Sequence, residues 1–179
     1  RSSGKMGYAL AEKVRDMGAE VILVSGPVSL PPVPEVEMNY IESVYEMESL
    51  VRHHSPFSDY IFMTAAVADY SPAEIATEKM KRSDNNLKLN LKPSPDILKS
   101  IQDKTNAIIT AFALETNDGE KEAKRKLQEK GVDFMVLNYA NEEGAGFDSS
   151  TNRVIIFSKD GNRIELNKDR KDRIAEKII

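Results

Sequence analysis

The sequence predicts an α/β fold: a doubly wound, Rossmann-like, mostly parallel sheet with an antiparallel edge hairpin. Three observations predict it. Short apolar runs of strand length alternate with amphipathic segments of helix length along the chain. Several of those runs are continuously apolar rather than alternating, as parallel strands covered on both faces are. Near the C-terminus the rhythm gives way to two runs that flank Asp160-Gly161, a tight hairpin signal.

The first helix is expected over residues 6–17, where Met6, Ala9, Leu10, Val14 and Met17 recur at helical spacing and Gly18 stands where a helix stops. The chain opens Arg1-Ser2-Ser3 with no initiator methionine, so a first strand ahead of Met6 is expected to be missing from it. Residues 20–25 form a β-branched strand ended by Gly26-Pro27, and residues 37–41 form another. Ser43 caps a helix over Val44–His54, with Val44, Met47, Leu50 and Val51 on one face. Residues 59–64 are the next buried strand and run into Ala65-Ala66-Val67-Ala68-Asp69-Tyr70. Residues 71–86 are polar and charged. Residues 87–91, Leu-Lys-Leu-Asn-Leu, alternate strictly and read as a strand with one apolar face. Pro95 suits the first turn of a helix running to Ile101. Residues 107–112 and 134–137 are strands on either side of a basic helix over 120–130. Residues 153–157 and 163–166 make the hairpin, and residues 168–179 a closing helix.

Composition narrows the function. A chain of 179 residues, 40% hydrophobic and 30% charged, is one globular domain. A net charge of −4 argues against nucleic acid as a partner. The absence of cysteine excludes disulfides, zinc–thiolate sites and thiol nucleophiles. Residues 107–114, the longest apolar stretch, are far too short to span a membrane, and no signal peptide opens the chain, so a cytoplasmic location is expected.

In an open α/β sheet, ligands gather at the carboxyl ends of the strands, so the residues that follow each strand are the candidates. Ser2, Ser3, Gly4 and Lys5 lead into the first helix, where small residues and a helix amino terminus favour a phosphate. Met6 stands where a P-loop would carry its magnesium-binding hydroxyl, and a plain tight turn is the other reading. Ala65 and Ala66 permit close backbone approach to a flat ligand. Asp69 suits a ribose, a metal or a phosphate-bound cation, or caps a turn. Lys79, Lys81 and Arg82 lie in a polar segment that is either a solvated loop or a mobile one able to neutralise a transferring phosphorus. Asp96 opens a helix. Lys126 and Lys130 share a helix face, hinting at a common anion, with Glu122 and Glu129 as the structural alternative. His53 and His54 are adjacent on a helix and diverge, so they are not a metal pair. No metal site can be assigned from these residues.

Taken in order, Ser2-Ser3-Gly4-Lys5-Met6-Gly7, Leu23-Val24-Ser25-Gly26-Pro27-Val28, Ala65-Ala66-Val67-Ala68-Asp69-Tyr70, Lys79-Met80-Lys81-Arg82, Ser94-Pro95-Asp96-Ile97-Leu98 and Phe112-Ala113-Leu114-Glu115-Thr116, with Lys126 and Lys130, resemble phosphopantothenoylcysteine synthetase (phosphopantothenate–cysteine ligase) of the bacterial CTP-dependent type. The resemblance covers essentially the whole chain. It implies a coenzyme A biosynthetic ligase that activates the carboxylate of 4′-phosphopantothenate with CTP, releases pyrophosphate, and lets the cysteine amine attack the acyl-cytidylate to give CMP. It implies that Met63, Thr64, Ala65 and Asp69 line the cytidine site, with Ala66 beside them. Pro95, Asp96, Ile97, Leu98, Phe112, Lys126 and Lys130 would complete the nucleotide site, with Lys79 as the catalytic loop lysine and Asn138 a further pocket residue. Mg²⁺ is expected with CTP. A homodimer is expected, residues 1–179 forming one synthetase domain with a mobile loop and dimerisation strand at about 71–92. The base preference, CTP or ATP, rests on backbone contacts and stays open.

The family's glycine-rich first strand, and an asparagine just ahead of Arg1 tied to turnover of the acyl-cytidylate, are not in this sequence. Nothing in it resembles the flavin domain to which the synthetase is often fused. The expectation is therefore a stand-alone synthetase without FMN, with a separate flavin-dependent decarboxylase as a possible partner. Two other classes compete: an NAD-type oxidoreductase, which lacks a complete Gly-x-Gly-x-x-Gly here, and a non-catalytic nucleotide-binding module.

Overall fold

A computed structural model of the protein describes residues 2–74, 78–79, 86–115, 118–139 and 151–179. Helix α1 (Lys5–Asp16) buries Tyr8, Ala9, Leu10 and Ala11. It ends where Gly18, at φ 89°, donates to the Arg15 carbonyl and Ala19 to that of Val14, the left-handed helix stop that glycine makes easy. Strands β1 (Ile22–Ser25) and β2 (Glu37–Tyr40) pair in parallel as a two-stranded sheet. Helix α2 (Val44–His54) is capped as its sequence predicts: Ser43 Oγ accepts from the Glu46 N–H, while the Glu46 carboxylate accepts from the Glu42 N–H and the Ser43 hydroxyl.

A second, five-stranded sheet carries the core. Its order is β3 (Tyr60–Met63), β6 (Ile108–Glu115), β7 (Phe134–Tyr139), β8 (Thr151–Ser158), β9 (Arg163–Arg170), the first three parallel and the last two antiparallel. Between β3 and β6 the chain makes the short hairpin β4 (Tyr70–Pro72) and β5 (Leu91–Pro93), then α3 (Ile97–Ile101). Helix α4 (Gly119–Lys130) lies between β6 and β7, and α5 (Lys171–Ile178) closes the chain.

The apolar runs have the predicted cause. Met135 and Leu137 of β7 pack with Ala123 and Leu127 of α4, whereas Val136 between them packs with Val154 and Ile174 of α5 on the other face. Leu10 of α1 and Ala175 of α5 meet on that second face, with Phe62 and Phe112 against them. A strand covered on both faces needs apolar residues at every position.

The fold class is as predicted, with the parallel strands lying in a two-stranded and a five-stranded sheet. Three expectations are corrected. Residues 87–90 are not a strand: only Leu91–Pro93 pairs, with Tyr70–Pro72, and Leu87, Leu89 and Leu91 are all exposed, so no sheet face rewards their alternation. Asp96 caps α3, which places Pro95 before the helix and not in its first turn. The last helix starts at Lys171 because β9 holds the chain in the hairpin as far as Arg170. The expected mobile loop falls partly on residues 75–77 and 80–85, outside the described set, as do Lys81 and Arg82.

Candidate functional site

At the carboxyl ends of β1, β3, β6 and β7 the elements leave one cleft of about 480 Å³, the size of an ordinary small-molecule site. Its wall on one side is the turn into α1. Gly4 caps that helix at φ 74°, and a Cβ there would stand 2.9 Å from Val28 Cγ1, so the turn and the Gly26–Val28 loop close on each other only around glycine. Gly7 sits one turn on, where a Cβ would come within 2.7 Å of Thr64 Oγ1. These two glycines bring the amino terminus of α1 against the end of β3. That terminus has no acidic residue in its first turn, and Ser2, Ser3, Gly4 and Lys5 line the cleft around it. A phosphate or carboxylate is the ligand such a terminus favours.

Ala65 and Ala66 follow β3 as exposed small residues, and Phe112 and Leu114 come from β6. Tyr8 and Ser25, both buried, share a hydroxyl hydrogen bond of 3.0 Å in the cleft wall. Three buried polar atoms that face no described hydrogen-bond partner belong to residues lining the cleft: Ser94 Oγ, Asn138 Oδ1 and Asn152 Oδ1. Among the charged residues lining it, Lys5 and Lys171 are cationic and Glu42 is acidic.

The predicted residues divide into two groups. Ser2, Ser3, Gly4, Lys5, Thr64, Ala65, Ala66, Phe112 and Asn138 line the cleft. Met63, Asp69, Lys79, Pro95, Asp96, Ile97, Leu98, Lys126 and Lys130 are not among its lining residues. Ile97 is 4% exposed in a cluster with Ile41 and Met47, against which Met63 packs, and Leu98 packs on the main core. Asp69 and Lys79 are exposed. Asp69 is nonetheless tied to the cleft, because its carbonyl accepts from the Ser94 N–H at 2.8 Å.

Lys126 and Lys130 do share a face of α4, but Glu122 and Glu129 do not balance them. Arg125 takes both of those glutamates. Lys126 pairs instead with Glu115 at the end of β6, 2.6 Å away, and Lys130 with Asp96 at the start of α3, 2.7 Å away. Burial works to raise the Asp96 carboxyl; the Lys130 ammonium and the Lys99 backbone N–H outweigh it and hold the group below 3.8. Both lysines are therefore held by carboxylates, one at the end of β6 and one at the start of α3.

Sequence reasoning missed Tyr8, Ser94, Asn152 and Lys171. One signal was available for Asn152: it is a lone amide two residues ahead of the apolar run Val154–Phe157, on the face that the run buries.

The fold and cleft define an α/β domain with a cleft of small-molecule size at the carboxyl ends of parallel strands. The chain belongs to the family described as DNA/pantothenate metabolism flavoprotein C-terminal domain, which it matches over residues 1–179. It is 45% identical over 168 residues to the Coenzyme A biosynthesis bifunctional protein CoaBC of Bacillus subtilis (strain 168), covering 93% of this chain and 41% of that protein. It is 38% identical over 181 residues to a Cysteine/Cysteine sulfinic acid decarboxylase of an unknown prokaryotic organism, covering 99% of this chain and 50% of that protein. The chain thus spans half or less of the length of these curated relatives. The crystal structure of the C-terminal domain of a Coenzyme A biosynthesis bifunctional protein CoaBC superposes with a TM-score of 0.82 at 39% identity, covering 99% of this chain and 81% of that one.

Proposed function

We propose that the protein is a phosphopantothenate–cysteine ligase of coenzyme A biosynthesis. The observation that carries this reading is the cleft itself: the amino terminus of α1, small residues and cationic side chains converge at the strand ends, in a chain 39% identical to the C-terminal domain of a CoaBC protein. In this reading the carboxylate oxygen of 4′-phosphopantothenate attacks the α-phosphorus of CTP and pyrophosphate leaves. The cysteine amine then attacks the acyl carbon, loses a proton, and CMP departs with the original carboxylate oxygen.

Each residue has a task that needs no covalent enzyme intermediate. The Ser2–Lys5 turn holds the substrate phosphate against the α1 terminus. Thr64, Ala65 and Ala66 let the nucleotide lie close to the backbone, with Asp69 toward the ribose. The segment from Pro95 to Leu98 supports the base from behind, chiefly through backbone, since Ile97 is core. Lys126 and Lys130 are drawn from Glu115 and Asp96 toward the triphosphate when it binds, and Lys79 meets the charge that develops on the reacting phosphorus. Among the described residues no three His, Cys, Asp or Glu side chains gather as a metal cage, so Mg²⁺ would arrive on the triphosphate, with Asp69 and the cleft-lining Glu42 as the candidate carboxylates. Mg²⁺ would supply charge neutralisation there.

The reading places no FMN-binding residues in this chain and assigns flavin chemistry to a decarboxylase part outside it. It includes a homodimer formed through the exposed Tyr70, Leu87, Leu89 and Leu91, the segment at about 71–92 being arm and catalytic loop of one domain. A cytoplasmic location belongs to it, in line with the biosynthetic relatives. No described helix is long and apolar enough to cross a membrane. The test is product analysis: pyrophosphate release that needs both CTP and phosphopantothenate, and CMP release that also needs cysteine. Neither product forming would overturn the reading.

A further inference from the structure

We propose that Tyr8 is a positioning residue, setting the spacing of two turns that together form the anion-facing wall of the cleft. This rests on the ligase reading above, in which the Ser2–Lys5 turn takes the substrate phosphate. A closed circuit of contacts begins and ends at Tyr8. Its hydroxyl lies 3.0 Å from Ser25 Oγ, and the two residues are only 7% and 6% exposed. The Ser25 hydroxyl donates in turn to the Gly26 carbonyl, 3.0 Å away, so Ser25 Oγ accepts from the Tyr8 hydroxyl. Val28, two residues on, packs against Gly4, where a Cβ would stand 2.9 Å from Val28 Cγ1. Gly4 closes the circuit: its carbonyl accepts from the Tyr8 N–H at 3.0 Å.

The Gly26–Val28 turn has little else to hold it. Among the described residues no backbone–backbone hydrogen bond engages Gly26, Pro27 or Val28, and Pro27 has no N–H to donate. Gly26 faces open space, since a Cβ there would meet no atom within 4 Å. The Ser25–Gly26 bond therefore anchors the turn, and Tyr8 fixes which way the Ser25 hydroxyl points. A serine hydroxyl rotates to suit its surroundings, whereas the buried ring of Tyr8 holds its own hydroxyl in place. Gly4 offers α1 no capping side chain, and Val28 is what its turn packs on.

Tyr8, Ser25, Gly26, Val28 and Gly4 all line the cleft. A wall held in advance binds its anion without first ordering the turns. That advantage is the same in the ground state and the transition state, so its loss falls on KM and not on kcat.

Calorimetric titration of the intact protein and of Tyr8→Phe, with phosphopantothenate and separately with CTP, tests this. Phenylalanine keeps the ring and removes only the hydroxyl. Tyr8→Phe is expected to bind phosphopantothenate about fivefold more weakly, with CTP affinity unchanged. In turnover, KM for phosphopantothenate should rise by the same factor at constant kcat. Ser25→Ala is expected to lose a similar factor, and the double variant no more than either single one, because each cuts the same link. Unchanged phosphopantothenate affinity in Tyr8→Phe overturns the proposal, and so does an equal loss for CTP or an additive loss in the double variant. Should Tyr8→Phe fail to fold, Ser25→Ala carries the same comparison between the two ligands. An intact protein that binds neither ligand overturns the ligase reading, a different outcome from intact binding that Tyr8→Phe leaves unchanged.

Discussion

Lys130 Nζ stands 2.7 Å from Asp96 Oδ2, joining the last turn of α4 to the residue that caps α3 across 34 positions of sequence. The same carboxylate accepts from the Lys99 N–H through its other oxygen. One aspartate therefore fixes a helix start and holds a lysine of α4 beside it.

Lys130→Ala and Lys126→Ala are expected to weaken CTP binding more than they change stability. Both ion pairs are about one-third exposed on the lysine side, where such pairs contribute about 0.2–1 kcal/mol. Losing a charge-assisted contact to a phosphate costs about 1.5–3 kcal/mol. Calorimetric titration with CTP beside thermal melting checks this. Unchanged nucleotide affinity in both variants would return the lysines to a purely structural role with Glu115 and Asp96.

Acid should weaken the α3–α4 tie. The folded-state pKa of Asp96 lies below its ordinary 3.8, so its contribution is complete above that value and is lost as pH falls through the folded one. Asparagine caps a helix as well as aspartate but carries no charge. The melting temperature of Asp96→Asn should therefore lie below wild type near pH 6, with the gap closing under about pH 4. A gap independent of pH would show that the charge is not what matters.

The core was legible from the sequence and the ends of the elements were less so. Residues 134–137 and 154–157 are apolar at every position because both faces of these strands are covered, and that pattern, with the Asp160-Gly161 hairpin signal, located β7 and β8. Ser43 announced α2. The segment 87–91 misled because alternation specifies a strand only when one face is buried, and Leu87 and Leu89 stay more than 60% exposed. At the site, the small-residue turns were visible as motifs. Asn152 showed only as a lone amide ahead of an apolar run, and its place in the cleft wall depends on which strand β8 meets, a long-range pairing. The partners of Lys126 and Lys130 were missed for the same reason, since Glu115 and Asp96 are distant in sequence.

Lys79→Ala should preserve melting temperature and CTP affinity while suppressing turnover. Lys79 is exposed, and substitutions at such positions change stability by about 0.5 kcal/mol or less. A lysine that acts only as charge builds on phosphorus lowers kcat without a matching change in binding. Wild-type turnover in this variant would remove Lys79 from the catalytic residues.

Leu89→Asp, alone or with Leu87→Asp, should convert a dimer to a monomer in sedimentation. Leu89 and Leu87 are 64% and 67% exposed in the same segment as Leu91, which is exposed like Tyr70 of the paired strand. Burying a carboxylate in the proposed interface would be unfavourable by several kcal/mol, on the order of the cost of an unpaired charge. A wild-type chain that sediments as a monomer at micromolar concentration contradicts the dimer.

The most direct test of the account follows the carboxylate oxygens of the acid substrate. The polypeptide that carries this chain is incubated with CTP, cysteine and phosphopantothenate bearing ¹⁸O in both carboxylate positions, and the products are weighed by mass spectrometry. The account predicts one ¹⁸O in CMP and one in the amide carbonyl, with none in pyrophosphate, because the acyl oxygen that attacks the α-phosphorus leaves with it. Amide formed while CMP stays unlabelled, or label found in pyrophosphate or free phosphate, would contradict activation through an acyl-cytidylate.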